Sequence, residues 1–232
     1  THLNHPNFQW ALTAEDLAEV QEENFFEVYN GHPKIYFEGD DKRVGCEKLW
    51  DIANTLRITK FHAPPLFGVA TDDAHHYHGE DSSPGRGWVM VRAASLQPDT
   101  IVNAMKAGDF YASSGVVIDE LTVTQGTLHL RIHGEPGVTY TTHIIGTPEN
   151  YDASTTSAAM PAGDPHPTRN IYSGDVGKTF AKIQGTDVTY KPAGNELYLR
   201  ATIISSKPHV NPSYPGQVEM AWVQPWILRK SQ

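Results

Sequence analysis

The 232-residue chain has one cysteine, Cys46. That excludes an internal disulfide and a metal cage built from thiolates. Cys46 stands in the polar stretch Arg43-Val44-Gly45-Cys46-Glu47, with no base suggested beside it, and reads as a bystander thiol. Basic residues are also scarce: 18 Lys and Arg stand against 27 Asp and Glu, for a formal net charge of −9. No Lys/Arg run could track a phosphate backbone, so nucleic acid is not an expected partner. No apolar run approaches the about 18 residues that a spanning helix needs, and no signal peptide is visible. Amphipathic helices are missing from the second half. What is present suffices for a packed core: 39% of residues are hydrophobic and 10% aromatic. The length allows one large domain or two of roughly 100–120 residues each. Histidine is the abundant type, with twelve in all, and seven of them fall in the first eighty residues.

Residues 1–116 read as alternating helices and strands. Thr13 with Asp16 is a capping signal, flanked by Leu12 and Leu17 as a hydrophobic staple, for a helix to about Glu23. Phe25–Tyr29 reads as a strand closed by Asn30-Gly31-His32-Pro33. Leu49, Ile52, Ala53 and Leu56 make one apolar helical face over about 47–57. Leu66–Ala70 is a continuous apolar run, suited to a parallel sheet covered on both sides. Trp88–Arg92 is a further strand, and Pro98 to Gly108 brackets a third helix. This β-α-β-α order predicts a parallel sheet or barrel. From 117 to 232 short alternating segments, separated by Gly, Pro, Asn and Asp, predict an all-β sandwich of about seven strands. The Ser/Thr/Ala/Gly/Pro-rich stretch 148–167 reads as a long loop.

Three polar clusters fall at strand ends: Asn4-His5-Pro6-Asn7, Glu27 with Asn30-Gly31-His32, and Asp72-Asp73-Ala74-His75. In a parallel barrel such ends share one rim, where active sites are built. Asp73 and His75, two apart on an extended strand end, point the same way and make a carboxylate–imidazole clamp for a divalent cation. His5 is the third candidate ligand, with Glu27 and His32 as further candidates. Asp72 reads as a turn cap, and His76 and His78 as loop residues. His62, His129, His133, His143, His166 and His209 read as ordinary histidines. Arg86, in Gly85-Arg86-Gly87, is the candidate phosphate contact, with a surface salt bridge as the alternative.

At Asn4–Asn7, Phe26–Pro33, Leu49–Asp51, Gly68–His75, Gly85–Trp88 and Gly108–Gly115 the sequence resembles one branch of the PHP (polymerase and histidinol phosphatase) family, in the same order. The resemblance covers about half the chain. It implies a distorted β/α barrel that holds divalent zinc, manganese or iron and hydrolyses phosphate esters of small molecules. It implies His5 as a late-barrel ligand and Asp73 and His75 as the last two. The family's opening H-x-H and other early ligands have no counterpart here.

The expectation is therefore α/β plus all-β: a partial PHP-type barrel over 1–116 and a β-sandwich over 117–232. It includes partial metal occupancy, weak or absent turnover, and a second copy covering the open barrel edge. Two alternatives stay open. One is a non-catalytic chain whose sandwich binds a protein or glycan, with the Trp, Tyr and Pro of 208–226 as a candidate surface. The other is a metal-dependent hydrolase of non-phosphate substrates.

Overall fold

A computed structural model describes residues 1–77, 81–159, 162–166 and 169–228. The expected capping box at Thr13 forms. Its hydroxyl accepts from the Asp16 amide at 3.1 Å, and the Asp16 carboxylate accepts from the Thr13 amide at 2.7 Å. They open α1 (Ala14–Glu19), shorter than its sequence predicts. Next come β1 (Phe25–Asn30), α2 (Cys46–Thr59), β2 (Phe67–Thr71), β3 (Trp88–Val91), α3 (Pro98–Lys106) and β4 (Phe110–Ser113). The remainder is strand: β5 (Ile118–Thr124), β6 (Thr127–Ile132), β7 (Tyr140–Pro148), β8 (Thr155–Ser157) and β9 (Asn170–Tyr172). Then follow β10 (Lys178–Gln184), β11 (Asp187–Tyr190), β12 (Glu196–Pro208) and β13 (Val218–Trp226). No helix among the described residues is long and apolar enough to cross a membrane.

These residues do not build the expected partial β/α barrel. The protein is mostly β, with three α-helices and one short 3-10 turn among its described residues. One ladder is parallel there, β1 with β2, joined by an isolated parallel bridge between Leu3 and Phe26. β3 and β4, expected as late barrel strands, pair antiparallel and end a six-stranded sheet ordered β10-β7-β12-β13-β4-β3. The physical reason lies in α3. Parallel strands need a crossover helix packed over the sheet, and α3 buries none of its residues. Without a barrel, the expected second copy on a barrel edge loses its basis. The expected boundary between 116 and 117 falls inside this sheet, with β3 and β4 on one side and β7, β10, β12 and β13 on the other.

The six-stranded sheet is the middle layer. On β13, Met220 and Trp222 point into a core with α1, α2, β1 and β2. Ala221 and Val223 point into a second core, against the three-stranded sheet β11-β6-β5. Period-two alternation thus serves two cores at once, and the strand is buried almost throughout, its polar Glu219 and Gln224 included. The second core is sandwich-like. Trp222, from the candidate surface at 208–226, is fully buried in the first.

One polar junction fixes α2 to the middle sheet. Arg200 Nε and Nη2 each donate to a separate oxygen of Asp51 at 2.8 Å, and Nη1 donates to Glu47 at 2.9 Å. Tyr198 donates to Asp51 at 2.8 Å, and the Arg200 guanidinium lies 4.8 Å from the centre of the Trp50 ring. Four of these five residues are buried, and Glu47 is half-buried.

Candidate functional site

The parallel pair β1–β2 ends in the polar clusters that the sequence singles out. β1 is buried almost throughout, so its polar residues need partners. Glu27 finds four. Oε2 accepts from the His5 amide at 2.5 Å and from Asn30 Nδ2 at 2.9 Å. Oε1 accepts from Thr71 at 2.9 Å and faces His2 Nε2 at 3.3 Å. Burial pushes this carboxyl's pKa up, but the bonds from His2, Asn30, His5 and Thr71 outweigh it and hold it below its ordinary value. Glu27, expected as a further metal ligand, is instead the buried anchor of the cluster.

Asn30 carries that anchor outward. Its Nδ2 also lies 3.2 Å from Asp73 Oδ2, and its Oδ1 accepts from the His32 amide at 2.8 Å. Asp73 Oδ1 then meets His75 Nε2 at 3.2 Å. His32 stands edge-on to His75, with ring centres 5.5 Å apart. Asp73 sits at φ 47 and His5 at φ 24, a region non-glycine residues rarely adopt. Such backbone persists only where surrounding contacts over-determine it.

The expected ligands are therefore only partly assembled. Asp73 and His75 converge, with His75 largely exposed. His5 reaches the cluster through its backbone amide, while its ring packs edge-on against Phe8 with centres 5.3 Å apart. His32 accepts from the Lys34 amide on Nδ1 at 3.2 Å, which leaves its Nε2 as a donor rather than a ligand. Burial, opposed by Asp73, keeps the pKa of this imidazole below its ordinary value. Among the described residues no three His, Cys, Asp or Glu side chains form a group able to hold a metal ion. His78, read as a loop residue, lies outside the described residues.

Arg86 is not an open phosphate contact, and among the described residues it forms no salt bridge. It is buried, and its Nη1 donates to the Gly31 carbonyl at 2.8 Å and the Asp81 carbonyl at 2.7 Å. Nε donates to Asn211 at 3.3 Å. Asp72 caps the same turn, accepting from the Arg86 and Gly87 amides at 2.6 and 2.9 Å. Arg86 thus pins the β1 and β2 ends together. Gly31 is required there, since a Cβ would lie 2.6 Å from Arg86 Cβ and 2.8 Å from the Asp72 carbonyl. Gly31→Ala is expected to cost about 1–3 kcal/mol by overpacking, read as a lower Tm. An unchanged Tm would refute the tight junction.

Sequence reading missed Asn30, Thr71 and Asn211 as organising residues. The signal for Asn30 was present: a polar residue ending an otherwise apolar strand must be hydrogen-bonded. Cys46 is buried, and burial pushes its thiol pKa up, as suits a bystander. A cavity of about 670 Å³ lies elsewhere, between the sheets, and is lined by Phe67, Phe110, Leu121, Val223 and Trp226 among others. None of the expected ligands lines it. Comparison of the chain with family models, curated proteins and solved structures finds no match.

Proposed function

We propose that this chain binds a divalent cation (zinc, manganese or iron) through Asp73 and His75 and hydrolyses phosphate esters of small molecules, as its resemblance to the PHP family implies. The observation that carries the reading is the 3.2 Å separation of Asp73 Oδ1 and His75 Nε2. Two donors on one cation, each about 2.1 Å away, stand about 3.0–3.4 Å apart at octahedral or tetrahedral angles. The donor set, one carboxylate and one imidazole, suits all three metals.

A cation held there would polarise a phosphoryl oxygen and lower the pKa of a water molecule. The chain's own residues supply orientation. Glu27 holds Asn30, and Asn30 holds Asp73, so the carboxylate is aimed from the protein interior. His32 Nε2–H is a donor beside the pair, suited to a phosphate oxygen. With two converging protein donors, binding is weak and occupancy partial, and turnover is correspondingly low.

The test is equilibrium dialysis of the metal-stripped chain against Zn²⁺ and Mn²⁺, with hydrolysis of p-nitrophenyl phosphate measured in parallel. The expected result is sub-stoichiometric metal that His75→Ala abolishes, with any hydrolysis following the metal. Equal binding by wild type and His75→Ala would sink the proposal.

A second reading is non-catalytic binding of a protein or glycan by the sandwich-like part. The aromatic walls of the 670 Å³ cavity favour it. It predicts ligand binding that is indifferent to His75→Ala.

A further inference from the structure

We propose that a second concavity, walled by Lys42, Arg43, Lys48 and Arg169, binds a small dianion: inorganic phosphate or the phosphoryl group of a phosphomonoester. The concavity measures about 240 Å³ and lies where α1, α2 and β9 approach the 42–44 loop. None of Glu27, His32, Asp73 or His75 lines it, so the proposal stands apart from the metal reading.

Charge carries the argument. The chain as a whole is acidic, at −9, yet four cations and one carboxylate, Glu15, line this site. Arg43 has carboxylate partners, Asp40 at 2.9 Å and Asp164. The other three cations have none within ion-pair distance among the described residues. Arg169 is buried and gives its two terminal nitrogens to the Leu12 and Trp10 carbonyls. Lys48 donates to the Val176 carbonyl. A carbonyl satisfies a hydrogen bond but carries no charge; Asp16, Glu15 and Asp164 around Arg169, and Asp51 near Lys48, offset these cations only from beyond ion-pair distance.

A second observation points the same way. Arg43 Nε is buried and has no acceptor among the described residues, although buried N–H groups are nearly always satisfied. Its guanidinium is fixed 4.8 Å from the centre of the Trp10 ring. Burial, and then Arg43 itself, lower the Arg169 pKa, against the opposing pull of Asp16, Glu15 and Asp164, so the two guanidinium groups still repel each other. An anion between them relieves that repulsion and supplies an acceptor. Guanidinium and ammonium donors together suit a phosphoryl group.

Size and wall chemistry limit the ligand. About 240 Å³ is below the usual range of about 300–1,000 Å³ for drug-sized ligands. Glu15 is occupied by Tyr172 at 2.6 Å and Asn170 at 2.7 Å, and its charge opposes a larger polyanion.

The test uses the full chain in EDTA, so that no metal at Asp73 and His75 contributes. Inorganic phosphate and glycerol phosphate are titrated at ionic strength held constant with sodium chloride, with Tm as readout. Saturation to ten times Kd is expected to raise Tm by about 3–6 °C over the chloride control. Lys42→Gln with Lys48→Gln is expected to weaken phosphate binding about tenfold or more. A charge-matched control, Lys34→Gln with Lys60→Gln, is expected to bind like wild type. Tighter binding of glycerol phosphate than of phosphate assigns the site to an ester, and the reverse to the free ion. No rise above the chloride control overturns the proposal. So does wild-type affinity in the Lys42/Lys48 variant, with its fold verified by circular dichroism.

Discussion

Arg200→Met is expected to lower the unfolding free energy by about 3–5 kcal/mol, because it strands the buried Asp51 carboxylate without its partner. The geometry makes this pair costly to break. Both Asp51 oxygens accept from Arg200 at 2.8 Å, and both residues are nearly inaccessible to water. Tyr198 adds a further donor to Asp51, and α2 rests on β12 through this cluster. At about 2–4 °C per kcal/mol for a chain of this size, Tm is expected to fall by roughly 6–20 °C. Asp51→Leu with Arg200→Met removes both charges and is expected to recover much of the loss, since a buried ion pair contributes little beyond an apolar pair of similar volume. Thermal and urea unfolding of the three variants measure the coupling. A loss below about 1 kcal/mol in Arg200→Met would show that water reaches the junction and screens it.

Glu27→Gln is expected to give the second large effect, about 1–3 kcal/mol at neutral pH. The carboxylate accepts on both oxygens, and an amide must turn one N–H₂ toward donors already there. The pH dependence follows from the direction of the shift. The folded-state pKa of Glu27 lies below its ordinary value of 4.5, so the folded protein holds the charged form more strongly than the unfolded chain does. That stabilisation is fully present above the unfolded-state pKa. It is lost as pH falls through the folded-state pKa. Stability measured from pH 7 downward is therefore expected to drop in wild type below about 4.5 and to drop less steeply in Glu27→Gln. Parallel curves would remove Glu27 from the acid transition. Because Glu27 holds Asn30 and Asn30 holds Asp73, the same variant is expected to weaken Mn²⁺ or Zn²⁺ binding about tenfold or more. A stable variant with unchanged metal affinity would separate the anchor from the clamp.

Much of the local structure was legible in the sequence. The Thr13–Asp16 cap, the apolar face of α2 and the start of α3 at Pro98 follow from short-range chemistry that tertiary packing left intact. The candidate pair Asp73 and His75 converges too, but not through an extended strand: the chain leaves β2 at Thr71 and turns through positive φ at Asp73. His5, Glu27 and Arg86 were legible as polar residues near strand ends but not in their roles. Whether a side chain points into the cluster or a backbone amide does so depends on the positive φ at His5. Whether Arg86 faces solvent or two carbonyls depends on how the 81–87 loop folds back over Gly31.

The sequence by itself determined where the helices and the strands of the first half begin, which residues are apolar, and that a carboxylate and an imidazole follow β2; it did not place β8 to β11, the first of which lies in the stretch read as a long loop. Only the tertiary structure decided how the strands associate. A β-α-β order is compatible with a parallel barrel and with an antiparallel sheet. The choice turns on whether the connecting helix covers the sheet, and α3 fully buries none of its residues. β3 and β4 accordingly join β13 and β12 in a sheet buried on both faces, which carries both cores. The basic concavity is a product of the same step, since residues 42–48 and 169 are remote in sequence and meet only when the chain between them has folded.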